Sequence, residues 1–295
     1  MKPPRFRYFA ADSTAHAVEL LGEYGDEAKL LAGGQSVVPL LNFRLVAPAV
    51  LIDINRITEL DHVRVDGITT RVGALVRQRT IERDQELRRR GPMLTETVGL
   101  IGHVAIRNRG TVGGALAHAD PAGEWPALGL LLGACFRIVG PRGRRTVPVD
   151  EFFRGFLTTA IEPDELLEEV ELRLPSPGAG HAFVEVARRH GDFALVGVGA
   201  VVELDSRCRI AHIAIALIGV ASTAVRAGDA ERVLRGELPS TELVKSAAEA
   251  AAAGLDPVDD IHASGTYRRR IAGVLTRRAL YTALARAGWE RRDVA

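Results

Sequence analysis

Apolar positions recur at helical spacing over residues 13–24, where Ala17, Leu20, Leu21 and Tyr24 share a face and Asp12 or Ser13 can cap the start. Residues 28–31 read as a short strand running into Gly33-Gly34-Gln35-Ser36, residues 37–43 as a helix start, and 49–54 as a buried strand. Strand-like runs at 63–65 and 70–76 flank Asp66-Gly67, a hairpin signal. Two helices are predicted at 79–90 and 93–99. A second glycine-rich turn follows, Thr111-Val112-Gly113-Gly114, and then an apolar helix around 126–132. A further hairpin, 135–139 with 146–149, is turned by Pro141-Arg142-Gly143.

The pattern changes after Pro175-Ser176-Pro177-Gly178-Ala179-Gly180, which reads as a linker or exposed crossover. Residues 182–187, 196–204 and 209–218 predict three strands of an antiparallel meander, followed by helices at 229–235, 241–253 and 266–287. The expected organisation is an α+β chain of two domains, residues 1–177 and 178–295, the second a β-sheet with helices.

Composition narrows the function classes. With 38 basic and 37 acidic residues the chain has a formal charge of +1, without the basic excess of a nucleic-acid binder. The longest apolar runs are interrupted by glycine or charge, so no transmembrane helix is expected, and the start of the chain lacks the apolar segment of a secretory signal. A cytoplasmic location is the expectation. Cys135 and Cys208 each sit in an apolar strand-like run and read as two reduced core thiols; with no CxxC pair, no iron–sulfur cluster or structural zinc is expected in this chain.

Hydrolase, metalloprotease, P-loop and GxGxxG motifs are absent, and the 8 histidines lack ligand spacing, so neither catalytic nor metal-ligating residues are expected. The carboxylate pairs Glu168-Glu169 and Asp259-Asp260 fall in polar stretches and read as solvated, as do the arginines of the last helix, which could also dock a partner. What remains is the two glycine pairs. Adjacent glycines can turn successive N–H groups into one concavity suited to an anion, with Ser36 and Thr111 adding hydroxyls. Two such loops could share one pyrophosphate. The alternative is a pair of tight turns with close backbone packing.

Taken together, Ala32-Gly33-Gly34-Gln35-Ser36 with Pro39-Leu40 and Arg44-Leu45, and Thr111-Val112-Gly113-Gly114-Ala115 through Asp120-Pro121, resemble the two FAD-binding signatures of one family. It is the flavin-binding medium subunit of molybdenum hydroxylases, typified by the carbon monoxide dehydrogenase flavoprotein and the FAD domain of xanthine dehydrogenase. The likeness continues through residues 159–163 and 188–194 into Tyr267-Arg268 and Ala272-Gly273.

The resemblance implies a two-subdomain FAD fold of the p-cresol methylhydroxylase or vanillyl-alcohol oxidase type, with a C-terminal domain closing over the flavin. It implies noncovalent FAD, because no attachment residue matches. Lys29, Ala32, Gly33, Gly34, Gln35, Ser36 and Val37, with Thr111, Gly113, Gly114 and Ala115, would hold the pyrophosphate and ribityl chain. Relatives often carry Asn or Ser where Ala115 stands. Glu124 would accept the adenosine ribose hydroxyls, and Asp120 would contact the ribityl chain or cap the Pro121 segment. Ile161, Phe193 and Ile101 would pack near the flavin ring. Function would be electron transfer in a complex with a large molybdopterin subunit and a small subunit carrying [2Fe-2S] clusters, as a dimer of heterotrimers. A stand-alone FAD oxidoreductase and a flavin-free assembly subunit are the other readings.

Overall fold

The computed structural model describes residues 2–290; residues 291–295, the tail of the expected second domain, lie outside the described residues, as does Met1. The chain opens with a three-stranded parallel sheet in which Val50–Asp53 lies between Arg7–Ala10 and Ala28–Leu31. Helix Thr14–Tyr24 packs on it, capped by Ser13, whose hydroxyl accepts the His16 N–H, and buries Ala17, Leu20 and Leu21. A five-stranded antiparallel sheet follows, in the order Val63–Asp66, Thr69–Gly73, Leu166–Arg173, Cys135–Gly140 and Gly143–Pro148. Its core is shared with helices Pro92–Val98, Val112–His118 and Glu124–Leu131.

The remainder is an antiparallel meander, Gly180–Ala187, Ala194–Leu204 and Ile210–Ile218, edged by the short strand Val225–Arg226. Helix Gly265–Arg286 buries its alanine and leucine face against it, and helix Thr241–Ala253 packs Val244, Ala247 and Ala251 against that long helix. The long helix also reaches back across the chain: Arg286 bonds Glu96 on helix Pro92–Val98 at 2.8 Å and the His181 carbonyl at 3.0 Å.

Several local expectations change. The predicted helix 79–90 is two helices, Gln78–Arg83 and Gln85–Arg90, because Asp84 adopts an extended conformation and caps the second by accepting from the Glu86 and Leu87 N–H groups. Pairing of Asp66 with Thr69 moves the first hairpin turn to Gly67-Ile68, and pairing of Gly140 with Gly143 leaves Pro141-Arg142 as the second. Glu168 and Glu169 are buried rather than solvated: Arg144 bonds Glu168 and His62 bonds Glu169, both reaching over from other segments of the sheet region. Arg268 is likewise buried, donating to the Leu195 and Gly219 carbonyls and to Asp260. Cys208 is not a core thiol; it is exposed in the turn between two meander strands.

Candidate functional site

A cavity of about 540 Å³ lies at the carboxyl end of strand Ala28–Leu31, the end of a parallel strand where α/β proteins place ligands. Lys29, Ala32, Gly33, Gly34, Gln35, Ser36 and Val37 line one wall. Thr111, Gly113, Gly114 and Ala115 line another, and Ile161 a third. The structure thus brings the two glycine pairs to one concavity.

The first pair lies in the loop between strand Ala28–Leu31 and helix Val37–Asn42. Gly34 has φ +75°, a conformation that a side chain at this position would strain. The N–H groups of Gly33, Gly34, Gln35 and Ser36 find no acceptor among the described residues, and the Ser36 hydroxyl makes no capping bond to the helix it precedes. Gln35 braces the loop by donating to the Gly33 carbonyl at 3.2 Å. Lys29 has no ion-pair partner among the described residues. Uncommitted amide donors, a hydroxyl and a cation form a donor set that suits a diphosphate.

The second pair is built differently. Gly113 and Gly114 lie inside the first turn of helix Val112–His118, not in a loop ahead of it. Their amides are spent on the protein: Val112 donates to the Val76 carbonyl and Gly113 to the Ala74 carbonyl, each at 2.9 Å, and Gly114 to the Thr111 hydroxyl at 3.0 Å. A Cβ on Gly113 would stand 2.6 Å from Ala74 Cα, so glycine here lets the helix lie against the end of the hairpin. The second glycine pair is therefore a packing surface rather than the expected anion nest, and what this segment can offer a ligand is the Thr111 hydroxyl proton and the Thr111 N–H, which finds no acceptor among the described residues.

The first pair also lies against the segment that leads into the second. A Cβ on Gly33 would come 2.3 Å from the Arg109 carbonyl oxygen. Acidic side chains are present in the wall as well, and Glu165 is held by Arg145 through bonds of 2.8 and 2.6 Å. One lining residue that sequence reasoning missed is Gln78. It is 5% exposed, and its Oε1 is buried without a donor. A buried acceptor left open in a cavity wall awaits a donor such as a ligand hydroxyl. Nothing in the sequence distinguishes Gln78 from a surface glutamine.

The other expected residues lie outside this wall. Asp120 accepts the Ala122 N–H at 2.8 Å and so turns the Pro121 segment. Ile101 packs against the core of the antiparallel sheet, and Phe193 is 66% exposed on the loop between two meander strands. Glu124 opens helix Glu124–Leu131 at the contact with the meander. Burial, reinforced by the carboxylates of Glu185 and Asp120, pushes its carboxyl up to about 8. Burial also pushes Glu185 up to about 7, and its Oε2 has no hydrogen-bond partner among the described residues.

Comparison with known proteins agrees with this architecture. Residues 4–177 match the FAD binding domain in molybdopterin dehydrogenase, and residues 181–283 match the CO dehydrogenase flavoprotein C-terminal domain. The chain is 42% identical over 287 residues to the 6-hydroxypseudooxynicotine dehydrogenase complex subunit alpha of Paenarthrobacter nicotinovorans, covering 97% of each chain. It is 41% identical to the carbon monoxide dehydrogenase medium chain of Hydrogenophaga pseudoflava, covering 97% of this chain and 99% of the other. A solved carbon monoxide dehydrogenase from Hydrogenophaga pseudoflava, lacking the Mo-pyranopterin moiety of its cofactor, superposes with a TM-score of 0.95 at 42% identity, over 97% of this chain and 99% of that one. This chain therefore belongs to the family of FAD-binding medium subunits of molybdenum hydroxylases, an oxidoreductase family in which an FAD-binding domain is joined to a flavoprotein C-terminal domain.

Proposed function

We propose that this chain is the electron-transfer subunit of a heterotrimeric molybdenum hydroxylase, receiving electrons from [2Fe-2S] clusters of a small partner and passing them to an external acceptor. A large molybdopterin subunit would carry the oxidative hydroxylation, and two heterotrimers would pair. A cytoplasmic location fits this reading. The observation that carries it is the row of uncommitted amides from Gly33 to Ser36, opening on the cavity beside Lys29.

When bound, FAD accepts electrons singly and releases them in pairs, which matches a cluster donor to a two-electron acceptor. The chain's own residues bind and orient it. Amides of residues 33–36 with Lys29 would hold the diphosphate noncovalently, and Ser36, Thr111 and Gln78 would meet hydroxyls or phosphate oxygens. Ala32, Val37, Ala115 and Ile161 would give the cofactor apolar walls. Ile101 and Phe193 would border the ring, and Asp120 and Glu124 would offer acceptors where the meander meets the first domain.

The test is reduction of the purified chain loaded with FAD under anaerobic conditions. Dithionite should bleach the flavin, whereas carbon monoxide, aldehydes and N-heterocycles should do so only after both partner subunits are added. Bleaching by one of these substrates with the chain alone would overturn the subunit reading.

A further inference from the structure

Two polar side chains behind the cavity wall connect the two glycine segments. Asn55 follows the central parallel strand, Val50–Asp53, and its Nδ2 donates to the Ala32 carbonyl at 2.8 Å and to Asp53 Oδ1 at 2.6 Å. Its Oδ1 accepts from Arg77 Nη2 at 2.7 Å. Arg77 Nη1 donates in turn to the Arg109 carbonyl at 2.6 Å. Ala32 immediately precedes the first glycine pair, and Arg109 leads into Gly110-Thr111 and the second.

The amide orientation of Asn55 is determined by its neighbours. Arg77 can only donate, and the Ala32 carbonyl can only accept, so oxygen must face one and nitrogen the other. Asp53 holds the assembly from behind, its Oδ1 accepting the Asn55 N–H at 2.8 Å and its Oδ2 the Tyr8 hydroxyl at 2.6 Å. Arg77 is suited to its place because a planar guanidinium directs two N–H groups at once to two separate oxygens, which an ammonium on a flexible stem does not. Neither side chain lines the cavity.

We propose that Asn55 and Arg77 form a bracket that sets the separation of the two glycine segments, and so act as positioning residues for the diphosphate of FAD. This rests on the reading that the diphosphate lies at the first loop. With the bracket broken, the Gly33 loop loses its tie to the segment it packs against, and its donors spread over more geometries before the ligand arrives.

The test uses the full chain and titrates FAD by the quenching of its fluorescence. Asn55→Leu and Arg77→Met should each weaken FAD at least tenfold, and the double variant should be no weaker than the weaker single one, since both break the same bracket. Visible circular dichroism of the bound flavin should change. Arg77→Lys should fail to restore affinity while restoring thermal stability of the FAD-free chain. Where Asn55→Leu does not fold, Asn55→Ser carries the same comparison. Additive losses, or wild-type affinity in Arg77→Lys, would overturn the bracket. Gly34→Val serves as the reference: if it retains FAD at wild-type affinity, the loop reading fails and the bracket with it. If it loses FAD while the bracket variants do not, the bracket alone fails.

Discussion

Gly33-Gly34 and Gly113-Gly114 are the same dipeptide, lining the same cavity, with opposite hydrogen-bond states. The first pair keeps its amides uncommitted in a loop; the second has given its amides to Ala74 and Thr111 within a helical turn. One is a donor surface, the other a place where a helix can approach a hairpin because no Cβ intervenes. Backbone thus approaches both pairs, the Arg109 carbonyl at Gly33 and Ala74 at Gly113, but the first pair still has amides without an acceptor among the described residues and the second does not.

The most severe way to break this comparison is Gly113→Val. Its side chain would collide with Ala74 backbone that has no room to yield, so the FAD-free chain should lose about 3 kcal/mol or more, measured by chemical denaturation. If stability held and only flavin were lost, the second pair would be a donor surface after all.

Glu124 sharpens the contrast from outside the cavity, as a buried acid beside two other carboxylates. Its carboxyl titrates near 8 in the folded chain, pushed up by burial and then by Glu185. A raised carboxyl pKa gives stability that is present at low pH and lost as pH rises from the ordinary glutamate range to about 8. FAD-free Glu124→Gln should thus gain over the wild-type chain by a few kcal/mol at pH 8 and by little at pH 4.5, read from thermal unfolding across that range. An equal difference at both pH values would contradict the burial argument. If Glu124 also accepts ribose hydroxyls, Glu124→Ala, which removes the acceptor, should bind FAD more weakly and leave FMN binding unchanged.

Gly34→Val probes the donor surface itself. At φ +75° the new side chain strains the loop, and FAD affinity should fall by about 1–3 kcal/mol, as for loss of charge-assisted bonds. The FAD-free chain should lose less stability than Gly113→Val does. The smallest expected effect is Thr111→Ala, which removes a helix cap at about 1 kcal/mol of stability and one hydroxyl donor. Thr111→Ser should restore both, whereas two glycine segments with the same role would make Thr111→Ala chiefly a loss of flavin.

Much of the fold was legible in the sequence, because the short range decides it. Helix Thr241–Ala253 and the three long meander strands stand where their apolar patterns place them. Helix Val104–Arg109 escaped notice because its six residues are too few and too polar to show a periodic face. The buried ionic residues misled for a different reason. Glu168, Glu169 and Arg268 look solvated until strands and loops distant in sequence deliver Arg144, His62 and the Leu195 carbonyl. At the site, composition pointed to both glycine pairs, but whether an amide is spent depends on Ala74 and Val76, which lie in another segment. Gln78, Asn55 and Arg77 are ordinary polar residues whose significance comes only from what folding sets beside them.

The contact of Arg286 with Glu96 and the His181 carbonyl has a practical consequence for anyone handling this chain. Its last described turn works as a joinery peg: the helix lies along the meander and is then pinned to a helix formed some 190 residues earlier. Altering that turn therefore also acts on helix Pro92–Val98, within the part of the chain that matches the FAD binding domain.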